Sequence, residues 1–145
     1  MTHTFSSDAE IEAIGEGLIA RTLPRAAWTH AAHVAAAVYL MRRRPDIAPE
    51  RDMPGLIRAY NESVGVRNTD TEGYHETITQ ASLAAVRAAL TAWPDEMPLH
   101  RIVNALAAGE MGRSDWLLSY WSRDRLFSVE ARRALMAPDL KPWPH

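Results

Sequence analysis

Residues 74–93 constrain this chain more than any other stretch. His75, Thr79, Ser82, Val86, Leu90 and Trp93 recur at three- and four-residue spacing. Tyr74, Ile78, Ala81, Ala85 and Ala89 form a second stripe beside the first. Such spacing predicts an α-helix, because it gathers side chains on one face at about 3.6 residues per turn. Two adjacent stripes cover more than one face, so this helix is expected to be central. Pro94 lies just past its end. Ahead of it, Thr69-Asp70-Thr71-Glu72 reads as a capping box, with Thr69 as the cap and Glu72 at the third position.

The rest of the chain repeats the pattern. Ser6 or Ser7 can cap a first helix striped by Ile11, Ile14, Leu18 and Ile19, ending near Arg21. Thr29 caps a second, alanine-rich helix that runs to about Arg44, where Pro45 stops it. Its stripe is His30, His33, Val34, Ala37, Leu40 and Met41. A short third helix opens at Pro49 or Pro54 and carries Leu56, Ile57 and Tyr60. A fifth spans Pro98 to Ala108. Trp116, Leu117 and Tyr120 look buried, the segment from Ser122 to Leu126 is ambiguous, and Ser128 caps a last helix through Leu135 and Met136. No β-alternation of useful length and no internal repeat occurs. The expectation is an all-α, single-domain irregular bundle of five to seven helices over residues 1–145, with 1–5 and 138–145 extended or frayed.

Composition narrows the function classes. Apolar residues make up 47% of the chain and charged residues 23%, ordinary for a soluble domain. The net charge of −2, with Lys141 the one lysine, gives no footprint for nucleic acid. Arg42-Arg43-Arg44 falls at a helix end, where it suits the helix dipole. No apolar run is long enough for a membrane span. The N-terminus has no signal-peptide pattern, so a cytoplasmic location is expected. There is no cysteine, which excludes disulfides, thiolate ligands and cysteine nucleophiles. A homodimer is compatible with all of this.

The residues that carry chemistry are histidines. Helices two and four run parallel if four short-connected helices alternate in direction, and their first turns then share one end of the bundle. His30 and His33 start the second helix and His75 starts the fourth. Three neutral imidazoles can hold one divalent transition metal (Zn, Ni or Fe), with a water, Glu72 or Glu76 completing the shell. Bound water would become a hydroxide nucleophile, with Glu76 as base and Thr79 bonding an imidazole or substrate. The plain alternative is that each histidine bonds only to protein groups. Without metal, the same imidazoles could act as acid and base. Trp28, Tyr74, Trp116 and Trp121 could wall a pocket for a small polar molecule, with Asn61, Arg67 and Asn68 at its edge. Helical core is the plain reading of the aromatics, and loop capping of the polar residues. His3, His100 and His145 read as surface residues.

Three segments together, Trp28 to His33, Gly73 to Thr79 and Tyr120 to Ser128, resemble an uncharacterised family of small bacterial proteins of helical fold. The likeness runs from about Trp28 to Pro144. It implies the helical bundle, adds weight to His30, His33, His75, Glu76 and Thr79, and draws in Trp121, Ser122 and Arg123. It implies no named activity. The expectation is therefore a metal-binding helical protein, in one form a metal-dependent enzyme on a small polar substrate. The alternatives are a ligand-binding or sensing module without chemistry, and a structural protein with core histidines.

Overall fold

The computed structural model describes residues 4–145. Seven α-helices lie among them: α1 (Asp8–Ala20), α2 (His30–Arg43), α3 (Pro49–Ser63), α4 (Glu76–Leu90), α5 (Leu99–Ala108), α6 (Arg123–Leu126) and α7 (Val129–Arg133). Single 3-10 turns fill parts of the connections, and the described residues contain no strand. The result is an all-α, single-domain irregular bundle. No helix of the described residues is long and apolar enough to cross a membrane.

Local chemistry sets most helix starts. The Ser7, Thr29, Ser122 and Ser128 hydroxyls each accept a backbone N–H three residues on, as N-caps do. Pro54 sits inside α3 and has no N–H for the Glu50 carbonyl. Gln80 of α4 donates to that carbonyl instead, at 3.0 Å. The third helix is therefore a full traverse rather than a short piece.

The central element is α2, not α4. Residues 34–40 are buried without a break, and α2 packs on α1, α3, α4 and α5. Alanines at 32, 35, 36 and 37 permit this, because their small side chains let neighbours close in on several faces. Glycine does the same on α1: a Cβ at Gly15 would stand 2.2 Å from the Tyr39 ring. Helices α2 and α4 pack together and end together, for Arg42 donates to the carbonyls of Leu90 (2.8 Å), Trp93 (3.0 Å) and Pro94 (3.0 Å). They consequently run parallel.

The helix α4 stands between two apolar clusters. Leu83, Val86 and Leu90 face the main core of α1 to α5. Ala81 and Ala85 face a second cluster of Trp116, Leu117, Tyr120, Trp121 and Leu126. The C-terminal tail seals that cluster: Trp143 lies on the Trp116, Tyr120 and Trp121 rings at 4.7–5.3 Å. Residues 1–3, including His3, lie outside the described residues. Phe5 is buried, and its backbone N–H and carbonyl both bond the Asn104 side-chain amide.

Three further expectations need correction. The helix after Thr69 begins only at Glu76. Thr69 does accept the N–H groups of Thr71 and Glu72 at 3.2 Å, but Gly73 then turns the chain at φ +82°, a left-handed conformation that ends the run. The last helix stops at Arg133, because the Ala134 carbonyl and Met136 N–H both bond the Thr77 hydroxyl of α4. His100 is also no plain surface residue: its ring and backbone N–H both reach the Asp8 carboxylate, at 2.6 and 3.0 Å. That carboxylate caps α5 from another helix.

Candidate functional site

The parallel N-terminal halves of α2 and α4 flank a cavity of about 460 Å³. Val34 and Ala37 line it from α2, Met53 and Ile57 from α3, and Ile78, Thr79, Ser82, Leu83 and Val86 from α4. The segment from Met111 to Leu118 and residues Arg123, Leu126 and Phe127 close the far side. Trp28, His30 and His33 stand at one end. The lining is mostly apolar.

His33 is positioned twice. Its ring stacks on Trp28 with centroids 3.8 Å apart and planes 28° apart. Its Nδ1 lies 2.7 Å from the Thr29 carbonyl, which can only accept, so Nδ1 carries the proton. In the neutral ring Nε2 then holds an unshared pair. No described residue donates to it. By surface area the residue is exposed, although neighbouring atoms crowd its ring, and it is among the residues that line the cavity. That enclosure disfavours the imidazolium and pushes the pKa down to about 4, against a smaller opposing effect of the Thr29 carbonyl. His30 donates from Nε2 to the Met111 carbonyl at 2.8 Å, which leaves its own unshared pair on Nδ1.

His75 does something else. It is the N-cap of α4: its Nδ1 accepts the Ile78 N–H at 3.1 Å. Its Nε2–H donates to the Leu126 carbonyl at 2.7 Å. Both ring nitrogens are spent on the backbone, and burial lowers the pKa. Among the described residues no three His, Asp or Glu side chains are grouped to hold a metal ion. A three-imidazole site does not fit these residues, because His75 would have to give up its cap and its Leu126 bond.

The other candidates divide in the same way. Trp28, His30, His33, Thr79 and Arg123 line the cavity. Glu76 accepts the Tyr74 hydroxyl at 2.5 Å, and the Arg58 guanidinium lies 4.5 Å over the Tyr74 ring. Asn61 donates to Asn68, whose side chain holds the 68–74 loop. Arg67 pairs with Glu72 on the surface at 3.5 Å. Trp121 is buried in the second cluster and donates to the Met136 carbonyl at 2.9 Å. Glu76, Tyr74, Asn61, Arg67, Glu72 and Trp121 are not among the residues that line the cavity. Ser82, Ser114, Asp115 and Met111 are, and sequence reasoning passed them over. The signal for Ser82 was its place one turn past Thr79 on the same stripe; nothing local marks the others.

In comparisons with known proteins, no family model, no curated protein and no solved structure matched the chain.

Proposed function

We propose that this protein is a small-molecule binding or sensing module whose ligand occupies the cavity between α2 and α4. One observation carries the reading: the cavity is large, mostly apolar and ends on an unpartnered His33 nitrogen. Ligand sites have that character, with volumes of roughly 300–1,000 Å³ and a few placed polar groups. A metal-dependent reaction has weaker support, since His75 is committed to capping α4. For His75 alone, the structural role named among the alternatives describes the residue well.

The test is a thermal-shift screen of small, mainly apolar compounds, followed by Ser82→Phe. A binder at one hundred times its Kd adds about 2.7 kcal/mol to stability. Ser82 is partly exposed and lines the cavity, so Phe at that position fills space without replacing core. Binders should stabilise the natural chain in proportion to concentration and leave Ser82→Phe unmoved, with helicity unchanged. A screen without any dose-dependent shift would remove the reading, as would equal binding to the variant.

A further inference from the structure

The polar end of the cavity accepts hydrogen bonds rather than donating them. His33 spends its one N–H on the Thr29 carbonyl and keeps an unshared pair on Nε2. His30 spends its own on the Met111 carbonyl. An anionic head brought to this end would meet unshared pairs. The body of the cavity, including Val34, Met53, Ile57 and Leu83, carries no charge, so a cation there would lose its water for nothing. Asp115 and Arg123, which also line the cavity, are exposed and opposite in sign, so they favour neither net charge.

Shape and softness point the same way. Trp28 and His33 form a flat double layer at one end. Met53 and Met111 line the walls, and thioethers make favourable contacts with aromatic ring edges. Taking the cavity as this protein's binding site, we propose that it takes an uncharged, mainly apolar aromatic molecule bearing one hydrogen-bond donor of the phenol type, delivered to His33 Nε2. The hydroxyl that such a molecule buries needs an acceptor, and an unmet one is costly. His33 provides it and so separates hydroxylated rings from bare ones.

Three probes decide the matter: 1-naphthol, 1-methoxynaphthalene, which has the oxygen without the donor, and naphthalene, which has neither. Each is titrated calorimetrically into the full chain at pH 7, and again into His33→Phe, which keeps a ring against Trp28 and loses the acceptor. The expected result is that 1-naphthol binds about fivefold or more tighter than either control, one net hydrogen bond's worth. In His33→Phe the preference for 1-naphthol over both controls should vanish, whatever the absolute affinities of the three become. Equal binding of all three to the natural chain would overturn the proposal even if the variant fails to fold. A preference that survives in the variant would overturn it too. Should none of the three bind while screened compounds still bind in a Ser82→Phe-sensitive way, the ligand class is wrong and the binding site stands. If no compound of any class binds, both fall together.

Discussion

His33 and His75 are chemically the same residue put to opposite uses. His75 closes a helix with one nitrogen and holds Leu126 with the other, so it is part of the scaffold. His75→Ala should cost about 2 kcal/mol, the sum of a lost cap and an orphaned carbonyl. His75→Asn should recover about half of that through the cap, and urea unfolding of both variants measures the difference. The two residues also share a pH signature. Desolvation by surrounding protein holds both pKa values below that of a free imidazole, and the value for His33 falls to about 4. The unfolded chain takes up these protons near pH 6.5 and the folded chain later, so in between the unfolded state binds more protons. Their contribution is fully present above about pH 6.5 and declines as the pH falls toward 4. The urea midpoint should drop from pH 7.5 to pH 5, and by less in His75→Asn. A midpoint that does not change over that range would contradict the desolvation of both rings.

At the scale of elements, the packing of α1, α2 and α4 depends on places where nothing larger fits. Gly15→Ala gains helix propensity of about 1 kcal/mol but drives a Cβ into Tyr39. Overpacking of that kind typically costs about 1–3 kcal/mol, so chemical denaturation should show a net loss. Arg42 ties the end of α2 to the end of α4 through three carbonyls. Arg42→Lys should lose about 1.5–3 kcal/mol, since one ammonium cannot span that set. A stability equal to that of the natural chain would show that the two helix ends are held by apolar packing alone. Much at this scale was legible from sequence. Thr29, Ser7 and Ser128 announce helix starts because capping is local, and Pro45 announces a stop for the same reason. The parallel course of α2 and α4 followed from short connections. What escaped notice depends on distant partners. Thr77 holds residues 134 and 136 across 57 and 59 positions and Trp121 holds Met136 across 15, and no local pattern marks either. Gly73 delayed the start of α4 by way of a turn whose register only the Asn68 loop explains. The candidate site was half legible: its α2 end was readable from helical spacing. The fate of His75 was not, because it is decided by a carbonyl 51 residues away.

For the molecule as a whole, two apolar clusters meet across α4, and the cavity draws its walls from both. Stability and binding should therefore be coupled through the tail. Trp143 covers the second cluster, where Lys141 also sits 4.4 Å over the Tyr120 ring. Trp143→Ala should destabilise the chain by about 2–4 kcal/mol, somewhat under the loss for a fully buried tryptophan, and loosen the Trp116 and Leu117 wall of the cavity. Calorimetric unfolding would measure the first effect and affinity for a screened ligand the second. The most direct measurement on the central claim is a nitrogen-15 spectrum of the histidine rings at pH 7, without and with the tightest compound from the screen. His33 should appear as the neutral Nδ1–H form and His75 as the neutral Nε2–H form. The ligand should shift the His33 Nε2 signal and leave both His75 nitrogens in place. A His33 signal indifferent to bound ligand, or a His75 ring that changes its protonated nitrogen when ligand binds, would contradict the account.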